Sequence, residues 1–326
     1  MKVLVTGGAG FIGSNLCRTL LADGHVTEIR VLDDLSTGFE ANMAGLDLDF
    51  RRGTILDRDL LHRSSRGVDA IVHLAALGSV PRSIENPRAT HDANVTGTLE
   101  VLMAARRVGA HVVVASSSSV YGSNPAMPKT EDLQCRPASP YAVSKLAAEQ
   151  YALSFGQVYE LPVLPFRFFN VYGPRQRPGH AYAAVIPVFL DAALRGQPLP
   201  VHGDGEQSRD FTYVETVTEI LRRSVVNQIT GGPMNLAFGA RITLMEIVRL
   251  IESAMGVSLE RVHSESRLGD VRHSQADNST LLANFPGVRA VGIEEGIASS
   301  LAWMREHHAG EQRETADGAN DVQGAP

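Results

Sequence analysis

The sequence contains little cysteine and no excess of basic charge. Only two cysteines, Cys17 and Cys135, occur among 326 residues. Two cysteines are too few for a disulfide framework or a zinc site, so we expect no metal centre and a reducing, cytoplasmic setting. Thirty lysines and arginines stand against 36 aspartates and glutamates, which gives a net charge of −6. Because binding to nucleic acid or to a membrane surface needs a basic face, we expect neither partner.

Long apolar runs are also missing, although 44% of the residues are hydrophobic. No run reaches the roughly 20 residues that a membrane-spanning helix needs. Met1-Lys2 leads directly into an apolar segment, so we expect no signal peptide. The sequence therefore predicts a soluble protein with room for one large α/β domain and a smaller partner.

Short apolar segments alternate with segments of helical periodicity in the first half of the chain. Predicted strands contain residues 3–5, 30–32, 70–72, 112–114 and 163–167, and predicted helices span 12–21, 93–108 and 140–155. Buried strands separated by helices indicate a Rossmann-type, doubly wound parallel sheet of the α/β class. From about residue 175, proline and glycine divide shorter elements. We predict a sheet domain over 1–174 with later segments returning to it, a smaller C-terminal substrate-binding region over 175–309, and a disordered tail over 310–326.

A glycine-rich turn follows the first predicted strand. Gly7, Gly10 and Gly13 stand between this strand and a helix, where a tight turn and the close approach of a pyrophosphate exclude side chains. The helix amino terminus adds amide donors for phosphates. Asp33 ends the second strand, 20 residues after Gly13, and a carboxylate there accepts both ribose hydroxyls but repels a 2′-phosphate. The sequence therefore predicts bound NAD rather than NADP.

Tyr141 and Lys145 lie four residues apart near the start of a predicted helix, and hence on one face of it. A phenol with a pKa of about 10 is a weak base at neutral pH, and a neighbouring ammonium favours its phenolate. Ser117 follows a strand at the carboxyl edge of the sheet, where its hydroxyl can share a substrate proton. We predict that Ser117, Tyr141 and Lys145 are catalytic.

Further motifs occur in a fixed order: His73-Leu74-Ala75-Ala76, Asn94-Val95-Thr96-Gly97-Thr98, Tyr121-Gly122, and the segments 167–174, 203–211 and 267–274. Together with the glycine turn and the Tyr141/Lys145 pair, they resemble the extended short-chain dehydrogenase/reductase family over about residues 1–305. Within that family, the chain is similar to NAD-dependent nucleotide-sugar epimerases and dehydratases, and most of all to UDP-hexose and UDP-N-acetylhexosamine 4-epimerases.

The resemblance implies two sets of binding residues. The NAD set is Gly7, Gly10, Phe11, Ile12, Gly13, Asp33, Asp34, Ser36, Thr37, Gly38, Thr54, Ile55, Leu74, Ala75, Ala76, Asn94, Ser116, Tyr141, Lys145 and Phe169. The UDP-sugar set is Ser79, Arg82, Ser117, Ser118, Tyr141, Asn170, Gln176, Ala184, Val185, Arg209, Arg267, Asp270 and Ser274. The family often has Gly-Asp-Ile where this chain has Gly53-Thr54-Ile55, so we expect adenine to be held less specifically.

The resemblance also bears on the reaction. Tyr141 would take the proton of a sugar hydroxyl while carbon 4 gives a hydride to NAD, leaving a 4-keto sugar. The 4,6-dehydratases of the family carry Thr-Asp-Glu where this chain has Ser117-Ser118-Ser119, so we expect rotation of the ketose and return of the hydride. The alternatives are a UDP-glucuronate 4-epimerase, with Arg82 facing carbon 6, a dehydratase as the less favoured enzyme, and an NAD-binding protein without turnover.

Two finer expectations concern substrate and assembly. A small residue at Ser274 leaves room for an acetamido group in the family's 4-epimerases, although Ser274 also suits a simple loop position. The segment 78–83, Gln176 and the segment 181–187 resemble epimerases that favour N-acetylated hexosamines. Family members commonly form homodimers through a four-helix bundle. Val95, Leu99, Leu102 and Met103 recur at helical spacing and suit either such a bundle or packing on the sheet.

Overall fold

The computed structural model of the protein describes residues 1–178, 184–265 and 272–321. The strands are β1 (Lys2–Thr6), β2 (Glu28–Asp33), β3 (Asp49–Arg52), β4 (Ala70–His73), β5 (His111–Ser117), β6 (Val163–Phe168), β7 (Val171–Tyr172), β8 (Leu199–His202), β9 (Ser208–Arg209), β10 (Thr212–Tyr213), β11 (Met234–Leu236), β12 (Ile242–Thr243) and β13 (Arg261–Ser264). The helices are α1 (Phe11–Leu21), α2 (Arg58–Ser65), α3 (Val80–Glu85), α4 (Pro87–His91), α5 (Gly97–Val108), α6 (Pro140–Tyr159), α7 (Val185–Leu194), α8 (Val214–Val226), α9 (Leu244–Met255), α10 (Ser279–Asn284) and α11 (Ile293–Asp321). Short 3₁₀ turns occur at Glu40–Met43 and Ser118–Tyr121, and a π-helical segment at Asp92–Thr96.

Seven strands form one sheet in the order β11-β6-β5-β4-β1-β2-β3. Every neighbouring pair in it is parallel. The chain proceeds from β1 to one edge and then restarts at β4 on the other side of β1. The loops at the carboxyl ends of β1 and β4 therefore diverge, and a crevice opens between them. This arrangement confirms the predicted Rossmann-type doubly wound sheet.

Helices cover both faces of this sheet, which explains why central strands such as β4 and β5 are buried along almost their whole length. On one face, α1 and α8 pack together through Leu16, Leu20 and Ile220. On the other face, α2, α5 and α6 bury Leu61, Leu102 and other apolar side chains. The strands and helices expected from periodicity are present, although the predicted helix over 93–108 divides into the π-helical segment and α5.

The later part of the chain contributes to both regions. β11 pairs with β6, and α8 packs on α1, so these late segments return to the sheet domain. A separate apolar cluster joins α7, α9, α11 and β8 around Phe189, Ile247 and Leu301. α9 begins at a capping box, in which the Thr243 Oγ1 accepts from the Glu246 amide at 3.1 Å and the Glu246 carboxylate accepts from the Thr243 amide at 2.7 Å. The exact domain bounds stay a prediction.

α11 continues to Asp321 and so enters the segment over 310–326 for which we expect a disordered tail. The extent of that tail stays a prediction. Separately, none of the helices within residues 1–178, 184–265 and 272–321 has the length and apolar character needed to cross a membrane.

Candidate active site

A cavity of about 950 Å³ lies at the carboxyl edge of the sheet, where the loops after β1 and β4 diverge. Most of the residues predicted to bind a dinucleotide line it. These residues are Gly7, Gly10, Phe11, Ile12, Gly13, Asp33, Asp34, Ser36, Thr37, Thr54, Ile55, Leu74, Ala75, Ala76, Ser116, Tyr141, Lys145 and Phe169. The residues predicted to contact a sugar nucleotide that also line it are Ser79, Arg82, Ser117, Ser118, Asn170, Gln176 and Ala184. One cavity therefore joins the predicted cofactor and substrate positions.

The glycine turn leaves no room for side chains. Gly7 has φ of +74°, and a Cβ on it would lie 2.6 Å from the Ala75 amide nitrogen. A Cβ on Gly13 would lie 2.2 Å from the Gly7 carbonyl oxygen. Gly10 caps α1 without a side-chain hydrogen bond, and the first turn of α1 contains no acidic residue. The helix amino terminus therefore offers free backbone donors to an anion, as a dinucleotide pyrophosphate requires.

Asp33 is held in place at the end of β2. Its Oδ2 accepts from the Ala9 amide at 2.9 Å and its Oδ1 accepts from the Leu35 amide at 2.8 Å. Burial raises the pKa of Asp33, and the two backbone hydrogen bonds partly offset this effect. The remaining lone pairs of a carboxylate suit two vicinal ribose hydroxyls. These features fit the adenosine half of NAD.

Of the residues predicted to bind NAD, Gly38 and Asn94 do not line the cavity. A Cβ on Gly38 would lie 2.9 Å from the Ala9 carbonyl carbon, so Gly38 lets its loop pack on the glycine turn. The Asn94 side chain accepts from the Leu77 amide at 2.8 Å and donates to the Leu77 carbonyl at 3.1 Å and to the Ser144 hydroxyl at 3.0 Å. Asn94 is 1% exposed and supports the cavity wall through these bonds, and its contact with NAD stays a prediction.

Ser117 and Tyr141 meet in the middle of the cavity. Ser117 ends β5 and Tyr141 occupies the first turn of α6, where the Ser139 hydroxyl caps the helix. Both side chains line the cavity. Burial raises the pKa of the Tyr141 phenol, and hydrogen bonding with Ser117 acts in the opposite direction. The pair can exchange a proton with a hydroxyl bound in the cavity.

Lys145 lies one helical turn beyond Tyr141 and is 7% exposed. Its ammonium donates to the Ala115 carbonyl at 2.8 Å. Burial lowers the pKa of Lys145 to about 8. The neighbouring His73 stays neutral, since burial and the Lys145 charge lower its pKa to about 3, and its ring nitrogens bond to the Thr6 and Thr98 hydroxyls. Of these two neighbours, His73 is neutral, and Lys145 is the one that brings a positive charge to the cavity wall.

A buried ion pair lies directly behind the serine run, and sequence reasoning missed it. The Arg167 Nη2 donates to the Glu149 Oε1 at 2.7 Å, and the Arg167 Nε donates to Oε2 at 3.0 Å. The Ser116 hydroxyl also donates to the Glu149 Oε2 at 2.6 Å. Arg167 reaches the Tyr121 hydroxyl at 2.9 Å, and that hydroxyl donates to the Asn235 Oδ1 at 2.6 Å. This network connects β5, β6, α6 and β11.

Several predicted substrate residues lie outside the cavity lining. Val185 begins α7, and Ser274 is 8% exposed with its amide bonded to the Ser208 carbonyl at 3.1 Å. The Arg209 guanidinium donates to the Ser208 and Arg272 carbonyls at 3.0 and 3.2 Å. Arg267 and Asp270, like the segment 179–183, lie outside the described residues. The proposed roles of Ser274 and Arg209 therefore gain no direct support from the described cavity.

Two arginines in the loop after β7 line the cavity without having been predicted. The Arg175 Nη1 donates to the Asn15 Oδ1 on α1 at 3.1 Å. The Arg177 guanidinium stacks over the Phe39 ring with 3.9 Å to the centroid. Asn42, Leu77 and Asp92 also line the cavity. The two arginines flank Gln176 in the sequence. Their position next to a predicted site residue could have identified them as cavity residues.

Comparison with known proteins agrees with this site. The NAD dependent epimerase/dehydratase family matches residues 3–237. A UDP-glucose 4-epimerase from Mycolicibacterium smegmatis is 38% identical over 312 residues, which cover 94% of this chain and 99% of the relative.

Solved structures extend the comparison. A UDP-N-acetylglucosamine 4-epimerase from Methanobrevibacter ruminantium M1, in complex with UDP-N-acetylmuramic acid, is similar with a TM-score of 0.89 and 34% identity, over 94% of this chain and 98% of the other. A dTDP-glucose 4,6-dehydratase from Streptomyces venezuelae, with NAD bound, has a TM-score of 0.86 and 35% identity, over 95% and 98%. These structures share the fold that carries the glycine turn, Asp33 and the group Ser117, Tyr141 and Lys145 in this chain. The chain belongs to the NAD dependent epimerase/dehydratase family.

Proposed function

We propose that the protein is an NAD-dependent 4-epimerase of a UDP-sugar. Its preferred substrates are UDP-GlcNAc and UDP-GalNAc, with UDP-glucose and UDP-galactose as further substrates. The observation that carries the proposal is that Ser117, Tyr141 and Lys145 line one cavity together with the glycine turn, with serines at the two positions after Ser117. The two epimerase relatives named above support the reaction class.

The residues of this chain divide the chemistry between them. NAD, when bound, accepts a hydride from carbon 4 of the sugar and later returns it. The Tyr141 oxygen takes the proton of the carbon 4 hydroxyl, and Ser117 stabilises the resulting arrangement by its hydrogen bond. Lys145 supplies positive charge that favours the phenolate form of Tyr141. Rotation of the 4-keto sugar in the cavity presents the opposite face of carbon 4 to the returning hydride, and Tyr141 returns the proton to the oxygen, so the epimerisation leaves no net redox change.

Residues 118 and 119 support epimerisation over dehydration. Elimination of water needs an acid and a base near carbons 5 and 6 of the sugar. This chain has Ser118 and Ser119 where the family's dehydratases have Asp and Glu. A serine hydroxyl does not ionise at neutral pH and cannot replace a carboxylic acid in that role. The 4-keto sugar is therefore expected to take the hydride back.

The size of the sugar subsite supports an N-acetylated substrate. Gly78, Ser79 and Ala184 line the cavity with small side chains, which leave space for an acetamido group. A pocket with added room discriminates weakly against smaller sugars, so UDP-glucose is expected to react as well. Arg82 also lines the cavity, and this observation favours UDP-glucuronate as the second candidate, because a guanidinium pairs with a carboxylate at carbon 6.

We propose further that the protein is a cytoplasmic homodimer. The outer face of α6 exposes Val143, Tyr151 and Val158, which are 53%, 40% and 64% exposed. Met103 on α5 is 36% exposed beside them, whereas Val95 and Leu102 are buried within the chain. Pairing α5 and α6 with the same helices of a second copy would cover this apolar face as a four-helix bundle. Tyr151→Glu should convert a dimer to a monomer in sedimentation velocity, and an unchanged sedimentation coefficient would contradict the bundle.

One experiment tests the reaction and its substrate. The protein is incubated with UDP-GlcNAc, UDP-glucose and UDP-glucuronate in turn, and the anomeric protons are followed by NMR. Formation of UDP-GalNAc supports the proposal, whereas turnover of UDP-glucuronate alone would overturn the substrate. A stable 4-keto-6-deoxy product would overturn the reaction. Tyr141→Phe is the matched control, because it removes one oxygen and should abolish turnover while NAD stays bound.

A further inference from the structure

The 3₁₀ turn after β5 places a third hydroxyl behind the Ser117–Tyr141 pair. Ser117 is the cap residue of the turn Ser118–Tyr121, and its Oγ accepts from the Ser119 amide at 3.2 Å. The Ser119 hydroxyl also lies 2.9 Å from the same oxygen. Ser119 itself does not line the cavity. It therefore touches Ser117 but neither the cofactor position nor the substrate position.

The hydrogen-bond capacity of Ser117 restricts how these groups are arranged. A serine hydroxyl has one proton to donate and two lone pairs that accept. A phenolate at Tyr141 can only accept, so it takes the one proton of Ser117. The two lone pairs of Ser117 are then filled by the amide and the hydroxyl of Ser119. In this state the chain of donors runs from Ser119 through Ser117 to Tyr141.

Protonation of Tyr141 reverses this chain. A phenol at Tyr141 can donate to the Ser117 oxygen, and Ser117 must then direct its own proton elsewhere. The Ser119 oxygen, at 2.9 Å, accepts that proton once its own hydroxyl rotates away. No covalent bond changes in this reversal, since each hydroxyl keeps its proton and only turns. The one proton that is transferred moves between the substrate oxygen and the Tyr141 oxygen.

We propose that Ser119 is a positioning residue that sets the direction of the Ser117–Tyr141 hydrogen bond and thereby stabilises the phenolate form of Tyr141. The inference deepens the proposed function and rests on it. Two donors to the Ser117 oxygen polarise its O–H bond, because hydrogen bonds in a chain strengthen one another in a low-dielectric site. The effect needs the hydroxyl of residue 119 and not only its backbone amide.

Among the described residues of the elements packed against α6, two charged side chains line the cavity. Of the elements packed against α6, α3 contributes Arg82 and the π-helical segment contributes Asp92 to the cavity lining. Lys145 lies on α6 itself, while β5 and the 3₁₀ turn present only hydroxyls here. The Arg167 guanidinium of β6 is paired with Glu149 beneath the cavity wall. Substitution of Ser119 leaves all of these charges in place, so a change in the titration of Tyr141 reports on the hydroxyl.

The test compares Ser119→Ala with Ser119→Thr in the NAD-bound protein. Both variants keep the amide that bonds to Ser117, but only threonine keeps the hydroxyl. Tyr141 is titrated by its phenolate absorbance near 295 nm, as the difference from Tyr141→Phe in the same background. The expected result is a rise of up to about half a pH unit in the pKa of Tyr141 in Ser119→Ala, and restoration in Ser119→Thr. Ser123→Ala, which removes an exposed hydroxyl from the same loop, should leave the titration unchanged.

The titration is then compared with catalysis. The acid limb of the kcat/KM profile should shift by the same amount, which lowers the rate about threefold on that limb and leaves the high-pH plateau unchanged. An unshifted Tyr141 titration in Ser119→Ala overturns the proposal, as does failure of Ser119→Thr to restore it. A loss of rate that is equal at every pH would indicate a merely structural role and also overturns it. Because the titration needs no sugar, it remains decisive if no UDP-sugar is turned over, and that outcome would contradict the proposed function instead.

Discussion

Breaking the buried ion pair between Glu149 and Arg167 should destabilise the whole sheet domain. Both oxygens of the Glu149 carboxylate are bonded to the Arg167 guanidinium, and the two side chains are 0% and 4% exposed. Glu149→Leu leaves the guanidinium buried without its counter-charge. Removal of one partner from such a pair costs about 3–5 kcal/mol of the free energy of unfolding. The Ser116 hydroxyl loses its acceptor in the same variant.

The double variant separates the ion pair from the packing around it. Arg167→Met alone leaves a buried carboxylate and should cost about as much as Glu149→Leu. Glu149→Leu/Arg167→Met removes both charges, so its cost should be close to that of either single variant and well below their sum. The resulting coupling free energy is about 3 kcal/mol. It is not larger, because Ser116 and the Tyr121 hydroxyl each lose a partner that the apolar side chains cannot replace.

Urea unfolding of the wild type, the two single variants and the double variant measures these free energies. Tryptophan fluorescence and circular dichroism are followed together, so that both regions of the chain report. Arg58→Met is the matched control, because Arg58 pairs with Glu100 at a similar distance of 2.7 Å but is 77% exposed. It should cost less than about 1 kcal/mol. The reasoning would be refuted if the free-energy costs of the two single variants simply added up in the double variant. It would also be refuted if each single variant cost as little as Arg58→Met.

Three further predictions concern the cavity. Gly13→Ala places a methyl group 2.2 Å from the Gly7 carbonyl oxygen, so the turn must move, and calorimetric titration should detect little or no NAD binding. Asp33→Asn removes the charge that accepts the ribose hydroxyls, and it should weaken NAD binding by about tenfold to a hundredfold in the same assay; equal affinity would exclude Asp33 as the ribose ligand. Lys145→Met tests burial of the ammonium. Burial lowers the pKa of Lys145 to about 8 from 10.5, so between these two values the unfolded chain binds more protons than the folded protein, and folding stability rises with pH. The stability of the wild type relative to Lys145→Met should therefore increase by up to about 3 kcal/mol from below pH 8 to above pH 10.5 in urea unfolding, and a difference independent of pH would contradict it.

Much of the fold and of the cofactor site follows from local sequence patterns. The segments predicted within β1, β2, β4, β5 and β6 are largely apolar, so their pattern locates them, whereas the two edge strands β3 and β11 were not predicted. The glycine turn is predictable because part of its steric demand is local, since a Cβ on Gly13 would meet the Gly7 carbonyl. Asp33 follows from the same β1–α1–β2 unit, since it ends the neighbouring strand β2. The approach of the Leu74–Ala75 backbone to Gly7 is a contact with a distant segment, and the structure was needed to show it.

The features that sequence reasoning missed depend on distant partners. Tyr121 meets Asn235, 114 residues away, and Arg175 meets Asn15, 160 residues away. An arginine in a strand gives no sign of a buried carboxylate on the preceding helix, so the Arg167–Glu149 pair needed the structure.

Overall similarity cannot decide between epimerisation and dehydration for this chain, because the named epimerase structure is 34% identical and the named dehydratase structure is 35% identical. The choice depends on residues 118 and 119, where the reaction itself makes different demands. A dehydratase needs carboxylates there, and a carboxylate at residue 119 is a pure acceptor when ionised. It would take the proton of Ser117 away from Tyr141, whereas the Ser119 hydroxyl lies where it can donate to Ser117. Because hydride removal at carbon 4 begins both reactions, the discriminating fact is that serine at residues 118 and 119 supplies no carboxylic acid or carboxylate for elimination, and this makes epimerisation the reaction that the cavity supports best.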